Sequence, residues 1–318
     1  MKVTLKHMKK AIVLLMTIGF IALISALVLI SLSISKRSFD EVVYLDARNQ
    51  FSVVFKDFVT MLRTNSDKVK TADELEVLLG LFLPAMKEPK TGIEFGFDIE
   101  SKMGKLNTNY LLHQMVLDVD DVNQTILERP FLNYFSNFDI NNKKLLLDIM
   151  EDTVDTDDFE SGAYSEIASE DFDFRQGKIY SYNHLKKIFE HYYKISLDKN
   201  IFKIDRDSWE EVFYFGDTNS SSQLLDCNQL DMTPVINLIT DNRYANPAEL
   251  DFCQMLKDKD EVLLELKDIY NISDFNKTNQ YLIQCTIIFN TENFNRNVRF
   301  DYDLKTGKVD NIDKNFQE

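Results

Sequence analysis

Ile93–Ile99 reads IEFGFDI and Tyr281–Phe289 reads YLIQCTIIF, and whether these two distant stretches share one sheet decides the fold. Both alternate apolar residues with polar or small ones, the period of two that a half-buried strand requires. Val298–Asp303 (VRFDYD) repeats the pattern, and Lys305-Thr-Gly-Lys308 supplies a hairpin turn into a short last strand. Between the first strand and the later ones the period changes. LLLDIM at 145–150, HLKKIFEHYYKI at 184–195, MTPVINLI at 232–239 and DEVLLELKDIY at 260–270 read as helices within a mainly helical stretch from about 110 to 272. Strands on either side of such a block share one sheet only if the block is an insertion. The expected class is therefore α+β with an inserted α-domain.

Upstream, apolar residues recur in three- and four-residue steps at Phe39, Val42, Val43, Phe51, Val54, Phe55, Phe58, Val59 and Leu62. No Pro or Gly interrupts Ser33–Gly80, so a long helix is expected there. A second helix is expected over Ala72–Leu83, opened by the capping-box pair Thr71 and Glu74 and ended by Pro84. Ser101–Asn109 reads as a loop. Ala11–Ile34 is a run of residues without a charge, about 36 Å long at ~1.5 Å per residue, enough to cross a bilayer with some tilt. It is too long for the apolar region of a secretory signal, and Lys36-Arg37 follow it, so an uncleaved anchor is expected. Lysines precede the span without acidic counterweight, which puts residues 1–10 in the cytoplasm and the bulk of the chain outside.

The 318 residues carry 52 acidic and 36 basic groups, a formal net charge of −16. Residues 1–36 hold Lys2, Lys6, Lys9, Lys10 and Lys36 and no carboxylate, so the remainder stands at −21. A body so acidic repels phosphate backbones, which argues against a nucleic-acid reader. It attracts divalent cations or basic partners. Cys227, Cys253 and Cys285 are odd in number, widely spaced and without a CxxC, and read as small core residues rather than a disulfide framework or a zinc site. His184 and His191 are seven apart on one expected helix, too far for one metal. HExxH, GxSxG, Walker and GxGxxG patterns are missing, so no catalytic constellation is visible and the chain reads as no enzyme. The aromatics concentrated in Phe131–Phe138 and Tyr180–Tyr193 read as packing.

Glu151–Asp173 contains ten carboxylates, with no Lys or Arg between Lys144 and Arg175. A solvated loop is one reading. A calcium site is the other, because a hard cation takes six to eight oxygens and relieves the repulsion among close carboxylates. The candidate ligands are Asp152, Asp155, Asp157 and Asp158, with Glu160 next; the spacing is not that of an EF-hand.

Three stretches resemble the general secretion pathway protein K family, the large minor pseudopilins of type II secretion systems. Gly104-Lys-Leu-Asn-Thr-Asn109 looks like the family's segment leading from the pilin-like part into the inserted helical domain. LLLDIMEDTVDTDD at 145–158 is similar to its acidic run, with Thr153 in the place of a tryptophan. Asp226-Cys-Asn-Gln-Leu230 followed by TPVINLI is similar to the segment opening its second helical subdomain. Lys9-Lys10 stand where the family's leader has a small residue. The resemblance implies a cytoplasmic segment at 1–10, a transmembrane helix at 11–34 and a pilin-like helix and first strand at 35–105. An inserted helical domain then spans 106–272, and C-terminal antiparallel strands at 273–318 complete the pilin-like sheet. It further implies calcium at the acidic run, Glu160 included, and location in the inner membrane with a periplasmic body. The implied role is at the tip of a pseudopilus, with other minor pseudopilins as partners, in protein secretion or DNA uptake. The reading from another class is a membrane-anchored extracytoplasmic module that senses calcium or a basic ligand.

Overall fold

Alternation builds the sheet. In the computed structural model the described residues are 39–313, with Ser33 and Lys36, apart from 67, 70–71, 81–82, 90–91, 118–120, 157–160, 219–222, 231–233, 245, 275–280 and 292–293. The strands β1 (Leu83–Lys87), β2 (Glu94–Ser101), β7 (Leu282–Asn290), β8 (Asn295–Asp303) and β9 (Val309–Asp313) form one antiparallel sheet in the order β1-β2-β7-β8-β9. Ile99 faces Cys285 and Phe97 faces Ile287 across β2–β7; Ile283, Cys285 and Ile287 face Tyr302, Phe300 and Val298 across β7–β8. The two distant stretches do share one sheet.

Helix α1 (39–66) covers the face these residues make. Its stripe Ala47, Phe51, Phe55, Phe58 and Leu62 follows the helical repeat and is buried or half-buried. Phe51 meets Phe289 at 5.8 Å, Phe55 meets Phe300 at 5.2 Å, and Phe58 meets Phe97 at 5.1 Å between ring centroids. The stripe does not extend upstream: Phe39 and Val42 are 66% and 64% exposed. Residues 47–51 lie where β7 ends, and the helical block joins the sheet at the opposite end, through Ser101 and Ile283. Among the described residues no helix is long and apolar enough to cross a membrane. The run Ala11–Ile34 lies outside them, Ser33 excepted.

Two local expectations are corrected. Helix α2 covers only Ala72–Leu79, and Leu83–Lys87 is the edge strand β1. Pro84 therefore sits on an edge, where a missing N–H costs no ladder bond. Thr71 of the expected capping box lies outside the described residues. Ser101–Asn109 is not a plain loop: Leu106–Asn107 (β3) pairs in parallel with Phe213–Tyr214 (β4), and helix α3 (Thr108–Leu117) starts directly after it. Further on come α4 (Asp121–Ser136), α5 (Lys143–Val154), α6 (Tyr182–Ser196), α7 (Arg206–Glu210), β5 (Leu225–Asp226), α8 (Val235–Thr240), α9 (Phe252–Lys257), α10 (Glu261–Lys267) and β6 (Ile272–Ser273).

These helices enclose their own hydrophobic core. Trp209 is fully buried at its centre, stacked on Phe213 at 4.5 Å and edge-on to Tyr134 at 5.5 Å. The cysteines also differ from expectation. Cys227 and Cys253 form a disulfide between a 3₁₀ turn (Cys227–Gln229) and α9, and only Cys285 is free. Chain folding brings the two Cα atoms to 5.0 Å across 26 residues, within bridging reach.

The sheet meets the helical block through polar groups. Lys102 pairs with Asp301 at 2.5 Å, both buried, and lies 4.7 Å from the centre of the Tyr214 ring. Arg299 pairs with Glu210, and Arg206 with Asp313 at 3.7 Å. Burial pulls the Lys102 ammonium below its ordinary range despite the attraction of Asp301. The loss of hydration offsets much of the attraction within a buried pair of this kind, but removing one partner would leave an uncompensated buried charge.

Candidate metal centre

The acidic run starts as helix. Asn142 caps α5, its Oδ1 accepting from the Leu145 N–H. Leu146, Leu147, Ile149, Met150 and Val154 enter the core. Asp148, Glu151, Asp152 and Asp155 recur at three- and four-residue steps along the same helix and its C-cap. These carboxylates are not a solvated face: Asp148, Glu151 and Asp152 are all buried. Lys144 neutralises part of the group, with Nζ at 3.0 Å from Glu128, 3.2 Å from Asp148 and 3.6 Å from Glu151. Burial pushes the Glu151 carboxyl up to about 7, against the pull of Lys144, and burial also raises that of Asp148.

The chain after α5 folds back over this ridge. Ser161 donates its N–H to both oxygens of Asp152 at 3.1 Å and its hydroxyl to Oδ1. Gly162 lies against Asp148 so closely that a Cβ would stand 2.6 Å from the carboxylate oxygen, which only glycine avoids. His191, buried on α6, holds the next turn: its Nε2 is 2.9 Å from the Tyr164 carbonyl and its Nδ1 3.8 Å from Glu170.

Of the expected ligands, Asp152 and Asp155 are placed together at the C-terminal end of α5. Asp152 is buried and bound to Ser161; Asp155 is half-buried at the C-cap, its Oδ1 accepting from Thr156 N–H. Asp157, Asp158 and Glu160 lie outside the described residues. Sequence reading passed over Glu128 and Asp148, and named Glu151 and Lys144 only as bounds of the acidic run, not as members of the site. The three-and-four spacing of Asp148, Glu151 and Asp152 was a visible signal, whereas Glu128 arrives from another helix and had none. Among the described residues, the close group of Asp226 with Cys227 and Cys253 is no thiolate site, because the two sulfurs are bonded to each other.

The segment Gly104–Asn109 turns out to be a structural pin. Asn107 Oδ1 accepts from the N–H groups of Asn109 at 3.2 Å and Gly216 at 3.1 Å. Its own N–H donates to Gln223 Oε1 at 2.6 Å and its Nδ2 to the Asp217 carbonyl at 2.8 Å. Asn109 takes the Ile179 N–H at 2.8 Å and donates to the carbonyls of Ile179 and Gly216. Two asparagines thus tie the start of α3 to segments near 179, 216 and 223. A Cβ at Gly216 would meet Asn107 Nδ2 at 2.5 Å, so the close approach needs glycine.

No protein-family model matches the chain, and a search of the curated proteins returned no match.

Proposed function

We propose that the chain is a membrane-anchored minor pseudopilin of the K type, placed at the tip of a pseudopilus that serves secretion or DNA uptake. The observation that carries the reading is the pairing of β2 with β7 across the intervening helical block, beneath a long helix packed on the sheet. A subunit with that bulk inserted at the end of its sheet blocks another from stacking above it, so it caps the fibre instead of repeating along it. The span Ala11–Ile34 anchors it in the inner membrane with residues 1–10 in the cytoplasm. The disulfide supports a periplasmic body, because such bonds persist in oxidising compartments. Its role is assembly with other minor pseudopilins; it performs no catalysis and does not bind nucleic acid directly.

Calcium is the proposed cofactor, at Asp152, Asp155, Asp157, Asp158 and Glu160. The buried Asp152 carboxylate beside Asp148 and Glu151 supports a region in need of positive charge beyond Lys144. The test is co-purification of the full chain in detergent with pilin-like proteins encoded beside it, with calcium and with chelator. A stoichiometric complex lost in chelator is expected. A folded chain that joins none of them under either condition would overturn the assembly role, and a complex indifferent to chelator would remove calcium from it.

A further inference from the structure

We propose that the C-terminal end of α6 and the 3₁₀ helix after it (Lys199–Lys203) form a docking surface for an acidic segment of a partner protein that presents an apolar side chain. This inference is independent of the pseudopilin reading.

Charge is the first ground. In a body at −21, the stretch from His191 to Ile204 contains one carboxylate, Asp198. That group is buried and committed to the N–H groups of Asn141 at 2.8 Å and Asn200 at 3.0 Å, so it does not neutralise the surface. Lys194, Lys199 and Lys203 are exposed, and none of them forms an ion pair with a described carboxylate. The lysines of the acidic α5 ridge and of the sheet junction, Lys144 and Lys102, are paired.

Strain is the second. Leu197 ends α6 in the left-handed region at φ 56° and is 73% exposed. Glycine or asparagine suits that position, and a leucine there is strained. It also exposes a large apolar side chain. A second apolar group stands on the next turn: Phe202 is 49% exposed, its ring 5.2 Å from that of Tyr193. Strain, exposed apolar groups and unpaired cations together are what a binding surface retains at the expense of stability.

The charge selects the occupant. A few apolar side chains without a continuous stripe do not make a bilayer-inserting face. A nucleic acid offers no apolar side chain to Leu197 and Phe202, and its backbone would run beyond the three lysines onto the exposed carboxylates of Glu190, Asp205 and Asp207. An acidic protein segment meets the lysines, and its apolar side chain finds Leu197 and Phe202.

The probe is a fluorescent peptide of glutamates around one phenylalanine, with a lysine-for-glutamate peptide as control, titrated with the full chain in detergent. The acidic peptide is expected to bind, the control not, with affinity falling as salt rises. A variant carrying Lys194→Glu, Lys199→Glu and Lys203→Glu should lose at least roughly tenfold in affinity with its melting temperature unchanged. Leu197→Gly should raise the melting temperature while weakening binding, a combination that a purely structural leucine does not give. Equal binding of both peptides, wild-type affinity in the triple variant, or undiminished affinity in Leu197→Gly overturns the proposal. So does capture of the chain by phosphatidylglycerol vesicles without any binding of the peptide.

Discussion

The α1–sheet core and the helical block bury their side chains by different means. In the sheet, one face of each strand supplies the core, and the aromatic rings of α1 at positions 51, 55 and 58 meet partners set by strand register. The helical block has apolar helix faces as well, yet it is also held by buried polar pins and a covalent bond. Asn107 and Asn109 reach partners more than 100 residues away, and Cys227 is tied to Cys253. Repetition specifies the first region, whereas single residues specify the second. The block is accordingly the region where one substitution does the most damage.

The largest expected effect tests that contrast directly. Trp209→Ala removes the ring stacked on Phe213 and edge-on to Tyr134, and should cost about 3–5 kcal/mol. Denaturant unfolding measures the loss, and hydrogen exchange locates it. The amides of α4 and α6 should lose protection while those of β7 and β8 keep theirs; equal loss in both would break the comparison.

Removal of the disulfide comes next. Cys227→Ser with Cys253→Ser opens a loop closed across 26 residues and should destabilise by about 3–4 kcal/mol. Cys285 then reports on the sheet alone. It is fully buried between Ile99 and Phe300, and burial pushes its thiol far above the ordinary range. In the double variant its reaction with a thiol reagent should stay as slow as in the parent. Fast labelling would mean that the two cores open together.

The smallest effect is one of pH. The Glu151 carboxyl is raised from 4.5 to about 7 by burial, so the native state keeps a proton that the unfolded chain releases across that interval. Stability therefore falls as pH rises from about 4.5 to about 7, by no more than about 3 kcal/mol, and levels off above. Glu151→Gln should flatten this slope in melts followed across the same pH range. A slope unchanged in the variant would assign it to other groups.

Legibility followed the same division. β7, β8, α5, α6 and the lower half of the α1 stripe were readable because each carries its own period. β1 was not: Pro84 signals both a helix end and an edge strand, and only the neighbouring β2 decides between them. The segment 101–109 was read as a loop because its two-residue strand finds its partner at Phe213 and Tyr214, far along the chain. In the acidic run the charges were evident, but the burial of Glu151 and Asp152 was not. It depends on Ser161 and Gly162 folding back and on Lys144 meeting Glu128 from α4.

The sequence by itself determined that an alternating strand precedes a helical block, that alternating strands follow it, and that the body is strongly acidic. Those are properties of local period and composition, and each is complete within a few turns or strands. Tertiary structure alone decided that Cys227 meets Cys253, that Asn107 and Asn109 are pins, and that the α5 carboxylates are buried. A bond between residues 26 or 116 apart depends on the whole path of the chain between them, which no local pattern records.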